Sequence, residues 1–410
     1  MFATLIKLRS KQPSQTALQQ ETGYRINSID FLRGLVMIIM ALDHTRDFFH
    51  NGAMTSDPTN LATTTPILFF TRWITHFCAP VFVFLAGTSG FLQSLRKSKK
   101  ELSLFLVKRG LWLVLVEVTI ITLGITFDIR FSTIILQTIW AIGISMVFLG
   151  VAVWLPFRAI LSIGLLIVLG HNSLDYYEAK QGQNFGLFYS LLHRMNFLLL
   201  GGNRELAIVY PFLSWTGLML LGYCFGKLLT AYESARQKRL LTLLGAGIIL
   251  FFIVLRATNL YGDPFPWSAQ KNMLFTIFSF VNTTKYPPSL LYTCMTIGPA
   301  VLFIAWAGSL KNRLAKIITV YGRVPFFYYV LHFYLIHTVT LIFSLFRGHS
   351  FAEGAAGFPN LPFKFVFPGE GLSLALCYLV WLSIVAALYP ACKWFSQYKK
   401  THKQWWLSYL

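Results

Sequence analysis

Ionisable side chains are costly inside a membrane, so the stretch RINSIDFLRGLVMIIMALDHTRDFFH, residues 25–50, narrows what this chain can become. From Ile29 to Phe49 it is mostly apolar, about 21 residues, enough for one helix across a hydrocarbon core roughly 30 Å thick. Yet Asp30, Arg33, Asp43 and His44 lie within it. Groups at that depth usually face a protein interior or a watery cavity. Arg33 and His44 are eleven residues apart. At 100° per residue they return to nearly the same face, about 16 Å apart along the axis. Asp30, Met37, Met40 and Ala41 extend the stripe, which predicts a lined groove. The competing account has Arg33 and His44 snorkel to opposite headgroup layers.

The rest of the chain agrees with a membrane. Of its 410 residues 55% are hydrophobic and 12% charged, against about 25% charged in an ordinary soluble domain. The net charge of +20 would suggest nucleic acid in a soluble protein. Here the basic residues follow the loops, and no nucleic-acid partner is expected. Five cysteines, an odd number, sit in or beside apolar spans without metal-ligand spacing, so neither a disulfide framework nor a metal is expected. The first 24 residues lack the apolar core and cleavage site of a signal peptide, and residues 1–28 read as a cytoplasmic lead-in.

Apolar spans near 29–49, 67–94, 104–127, 133–154, 157–174, 208–230, 240–257, 289–308, 325–346 and 370–392 predict an all-α integral membrane protein of about ten transmembrane helices. Basic residues favour cytoplasmic loops and cluster in the even connections: Arg96 to Arg109, Lys227 to Arg239, and Lys311 to Arg323. Both termini are therefore expected in the cytoplasm, with 29–392 as one transmembrane domain and 393–410 as a cytoplasmic tail. The long odd connections, roughly 171–207, 258–288 and 347–369, fall outside. Their Tyr176, Tyr177, Phe185, Tyr189, Trp267, Tyr286 and Phe358 suit stacking on sugar rings, or equally an aromatic belt at the headgroups.

Other spans hold polar residues too. The second carries Arg72 and His76 near its outer end, then Pro80 and the small run Ala86 to Gly90. Such a proline frees a carbonyl that a polar neighbour must satisfy, and the small run reads as close helix packing. Glu117 lies two turns inside the third span, and a buried carboxylate needs a partner. Arg33 is the expected partner. In the ninth span His332 and His337 are five positions apart, so at most one should share a cavity with His44. Tyr328, one turn before His332, is placed to orient that imidazole.

Three of these segments resemble a known pattern. DFLRGLVMIIMALDH, residues 30–44, is similar to the first-helix signature of the transmembrane acyltransferase superfamily. That superfamily pairs bacterial polysaccharide O-acetyltransferases with the heparan-α-glucosaminide N-acetyltransferase family. PVFVFLAGTSGFL, residues 80–92, and YGRVPFFYYVLHF, residues 321–333, resemble its later segments, in the expected order. In the O-acetyltransferase branch the functional histidine falls ten residues after the glycine, here His44. In the heparan-type branch that position is commonly Asn, and the catalytic histidine lies further on. His50 is the nearest match to it, across a shorter run. His44 matches without a gap and is preferred, with His50 as the alternative.

The resemblance implies transfer of an acetyl group from cytoplasmic acetyl-CoA to a glycan or related acceptor outside, in a bacterial plasma membrane. His44, His50, Asp43 and His332 are the catalytic candidates, and Asp30, Glu117, His76 and Tyr328 the supporting ones. Arg33, Lys108 and Arg109 would take the phosphates of coenzyme A. His44 would serve as general base or as transient acyl carrier. The competing class is a polytopic transporter using the same buried charges.

Overall fold

The computed structural model describes residues 15–53, 55–182, 185–202, 204–232, 234–308, 310, 312–358 and 361–408. Half of the expected lead-in, residues 1–14, lies outside them. In order, the helices are α1 (Gln15–Phe49), α2 (Pro66–Thr75), α3 (Cys78–Ser94), α4 (Lys99–Val116), α5 (Thr122–Thr126), α6 (Thr138–Ala152), α7 (Phe157–Gly170), α8 (Ser173–Gln181) and α9 (Leu187–Leu192). Then come α10 (Phe212–Thr230), α11 (Ser234–Thr258), α12 (Met273–Val281), α13 (Leu290–Ala307), α14 (Arg313–Arg323), α15 (Pro325–Phe346), α16 (Phe351–Ala356) and α17 (Leu374–Thr401). The structure is 71% helical, as an all-α protein should be.

Among the described residues, six helical stretches are long and apolar enough to cross a membrane, or seven if the bent pair α7 and α8 counts as one. Four of the ten expected spans fall outside the six, for different reasons. The charges of α1 break its apolar run. The third span changes from α-helix to a π-helical turn at Glu117–Ile121. The fourth begins as a strand, and its helix α6 has only 15 residues, about 22 Å. The fifth is the bent pair.

The strand is the main departure from helix. Thr133–Leu136 (β1) pairs parallel with Arg204–Ile208 (β3), which pairs antiparallel with Asn196–Gly201 (β2), in the order β1-β3-β2. A four-residue apolar run carries no period that separates strand from helix. At the other end, α17 runs on through Thr401, so residues 393–401 of the expected tail are helix.

The second span is also broken, between α2 and α3, with Pro80 in the first turn of α3. Proline has no N–H for the carbonyl four residues back, which is that of His76. The Tyr292 hydroxyl, on α13, donates to that carbonyl at 2.7 Å. The freed acceptor expected from the sequence thus has its partner.

Helix α1 is central, packing on α2, α3, α13, α14, α15 and α17. Its crossing with α14 is backbone against backbone. A Cβ on Gly34 would lie 2.0 Å from the Ile318 carbonyl oxygen, and one on Gly322 would lie 1.8 Å from that of Asp30. The glycines of the first and third motif segments face each other because nothing larger fits. The small run of α3 serves α10 in the same way, since a Cβ on Gly87 would lie 2.0 Å from the Met219 carbonyl oxygen.

Gly34→Ala and Gly322→Ala should each destabilise the protein by at least the roughly 1–3 kcal/mol of overpacking, because backbone cannot yield as a side chain can. Gly247→Ala, in open space on α11, should be neutral or stabilising. Thermal unfolding in detergent checks this, and equal losses at Gly34 and Gly247 would contradict the crossing.

Candidate active site

At the Asp30 end of α1 the organising group is Arg33. Its guanidinium donates to Asp30 Oδ1 at 3.0 Å, to the Gly322 carbonyl at 3.2 Å and to Ser89 Oγ at 3.2 Å. The three motif segments therefore meet on one side chain. Arg323 lies 4.0 Å from Asp30 Oδ2, and Lys399 lies within electrostatic reach of Arg33, Arg109 and Asp30. Lys108, the neighbour of Arg109 on α4, is exposed.

The expected pair of Arg33 with Glu117 does not form. Glu117 is eight residues beyond Arg109 on the same rod, about 12 Å further along it. Its Oε1 accepts the Gln137 N–H at 2.8 Å, and the N–H groups of Ile139 and Trp140 face the same carboxyl. Glu117 therefore caps the start of α6, accepting from N–H groups that the start of a helix leaves without an intrahelical partner.

Eleven residues along α1, the His44 ring meets His332 edge to face at 5.1 Å between centroids and Phe333 at 4.2 Å. The His332 Nδ1–H donates to the Tyr328 carbonyl at 3.2 Å, and its ring stacks on the Tyr328 ring. Tyr328 thus orients His332, through its backbone and ring. His332 Nε2 is buried without a hydrogen-bond partner among the described residues. His337 points elsewhere, stacked on Phe127 between the carbonyls of Gly124 and Lys364.

Within one turn of His44 on α1, from Asp43 to Asp47, is a layer of ion pairs. Asp43 binds Arg72 of α2 and lies 3.0 Å from Arg46, which in turn reaches Asp47 at 2.5 Å. Asp43 was singled out in the sequence. Arg46 and Asp47 were not, although they follow it at helical neighbour spacing. His76 is buried next to this layer, its Nδ1 without a hydrogen-bond partner among the described residues.

Two cavities meet at this layer. The inner one, about 100 Å³, is lined by residues including Asp43, His44, Arg72, Lys285, Tyr286 and Phe333. The outer one, about 380 Å³, is lined by Arg46, Asp47, His50, Ser56, Asp57, Arg72 and neighbours. Asp47 and Arg72 belong to both and form the shared wall. Of the expected groove, Met40 reaches the inner cavity, while Met37 and Ala41 are core. Lys285 was missed, because a single lysine in a loop gives no periodic signal.

His50 stands in the outer cavity, and its Nδ1 accepts the Gly52 N–H at 3.1 Å. Burial, then the nearby Arg46 charge, lowers its pKa below the usual imidazole range. With Nδ1 an acceptor, the neutral ring carries its proton on Nε2. It is a donor toward the cavity.

Among the loop aromatics, Tyr286 lines the inner cavity, Phe185 and Tyr189 stack on each other, and Trp267 packs on Phe280. In the 171–207 loop, ligand atoms of Asp175, Glu178 and His193 lie within 4.8 Å of one another. The Glu178 oxygens already accept from His193, Arg194 and Tyr189, a set that closes the loop on itself.

Residues 25–261, more than half of the chain, match the family model described as heparan-alpha-glucosaminide N-acetyltransferase, catalytic. No curated protein matches the chain.

The ion-pair layer makes its own test. Asp43→Asn leaves two buried guanidinium groups to share Asp47 and should cost about 3–5 kcal/mol, the usual penalty for stranding a buried charge. Removing one cation as well, in Asp43→Asn/Arg72→Met, should recover part of that loss in the same unfolding assay.

Proposed function

The chain belongs to the heparan-α-glucosaminide N-acetyltransferase catalytic family of membrane acetyltransferases, and we propose that it moves an acetyl group from cytoplasmic acetyl-CoA to a glycan or related acceptor on the outer face. One observation carries this reading. A single helix holds a basic cluster at Arg33 and, eleven residues further on, a histidine in a cavity beside a larger vestibule.

Coenzyme A is anionic at one end of a long arm and carries the thioester at the other. Arg33 and Arg109, with Arg323 and Lys399 beside them, would take the phosphates, and exposed Lys108 would add charge at the rim. His44 would take the proton from the acceptor as it attacks the thioester carbonyl. His332 backs the His44 ring, and Asp43 holds Arg72 at the wall between the cavities. The donor state of His50 supports a role in binding the acceptor rather than removing its proton.

The ten apolar segments and the bias of basic residues support one transmembrane domain over 29–392, with both termini in the cytoplasm. A bacterial plasma membrane suits that arrangement.

Purified protein incubated with radiolabelled acetyl-CoA and fractionated envelope glycans should label one fraction. His44→Asn should lower transfer by the roughly 10²–10⁴-fold typical of general-base loss, while acetyl-CoA still raises the unfolding temperature. His50→Asn should keep His44-dependent turnover and raise the acceptor KM. Near-normal transfer in His44→Asn with none in His50→Asn would reverse the assignment. Label held on the protein without acceptor would make His44 an acyl carrier instead.

A further inference from the structure

The inner cavity contains a cation that the ion-pair layer does not neutralise. Of its charged lining groups, Arg72 is paired with Asp43, and Asp47 with Arg46. Lys285 also lines the cavity, and among the described residues no carboxylate lies within ion-pair distance of its ammonium. The ammonium lies 5.1 Å from the ring centroid of Tyr286, another wall residue, and within electrostatic reach of both His44 and Asp43. Lys285 lies beyond residues 25–261, the part matched by the family model.

The loop carrying Lys285 is held from beneath with unusual thoroughness. Arg256, only 2% exposed, donates to the carbonyls of Phe265, Ser279, Phe280 and Asn282 at 2.8 to 3.0 Å. It also lies 3.8 Å from Asp263. Asp263 accepts from the Thr284 N–H and hydroxyl and from the Ser289 hydroxyl at 2.7 to 3.0 Å. Those contacts fix the chain on both sides of Lys285. The Asn282 side chain adds a bond to the Thr59 carbonyl, next to Pro58 of the outer-cavity wall. A long flexible side chain is thereby presented from a fixed base.

We propose that Lys285 is a catalytic residue whose ammonium receives the oxyanion formed from the thioester carbonyl in the inner cavity. This rests on the acetyl-transfer reading above. The acceptor lone pair forms a bond to the carbonyl carbon, the carbonyl π pair moves to oxygen beside Lys285, and the acceptor proton passes to the His44 imidazole. The oxygen pair then re-forms the carbonyl, the carbon–sulfur bond breaks, and the thiolate leaves with the proton from His44. Lys285 stays protonated throughout. A preorganised donor held against the reacting carbonyl acts on the transition state far more than on the neutral thioester. Arg256 and Asp263 are positioning residues for it.

Lys285→Met should lower kcat by about 10²–10³-fold, the range for loss of an oxyanion donor, with the acetyl-CoA KM within about threefold of the parent. Lys285→Arg should restore much of kcat. If Lys285→Met does not fold, Lys285→Cys treated with 2-bromoethylamine rebuilds a side-chain ammonium. Recovery of kcat relative to the untreated variant supports the assignment, and no recovery overturns it. So does a Lys285→Met enzyme of near-normal kcat, or one whose whole loss is in KM. If His44→Asn is inactive while Lys285→Met is not, only this inference fails. If the parent protein transfers no acetyl group, the reading beneath it fails too.

Discussion

The guanidinium of Arg33 is the point at which the fold is closed. It takes a carboxylate from its own helix, a hydroxyl from α3 and a carbonyl from the end of α14. A buried cation without such partners would be strongly destabilising, whereas one with several charge-assisted bonds is held in one geometry. The geometry is possible because Gly34 and Gly322 let α1 and α14 touch along their backbones. Arginine and glycine in the first motif segment thus have one joint purpose. They fix the rotation of α1, and every other side chain on that helix inherits its direction from this contact.

What α1 then presents is a polar layer compensated partly from within the helix and partly from α2. Asp43 and Asp47 are balanced by Arg46 on the same helix and Arg72 on α2. Arg72 comes from a helix that stops at Thr75, and the carbonyl left open by Pro80 is capped from α13 by Tyr292. The broken span is therefore part of the construction of the site. Irregular backbone at membrane depth is tolerated where protein groups satisfy it.

The sequence made the lengthwise order legible and left the sideways contacts open. Helical spacing put Arg33, Met40 and His44 in the right order along α1, and allowed at most one of His332 and His337 beside His44, because a helix has a fixed rise and turn. Proline chemistry foretold a carbonyl in need of a partner. Glu117 was paired with the wrong group, since the choice between an arginine and a set of helix N–H groups depends on which helix starts nearby. That helix starts after a strand which a short run such as Thr133–Leu136 does not announce. Lys285 and the Arg256 and Asp263 contacts beneath it were invisible for a similar reason. They are loop contacts across many residues, without any period.

The unequal sizes of the two cavities give the proposed chemistry its selectivity. The inner space of about 100 Å³ has room for an acetyl group and several waters beside His44. The vestibule of about 380 Å³ has room for a larger polar acceptor. An acceptor seated there would send a single nucleophilic atom past Asp47 and Arg72, and the filled doorway would displace the water that competes with it. Exclusion of water matters because hydrolysis of the thioester would waste the group without any transfer. The ion pairs at the doorway hold that wall polar and fixed while adding no net charge, since two arginines face two aspartates. The positive charge in the inner cavity is then left to Lys285, which faces the place where negative charge would develop.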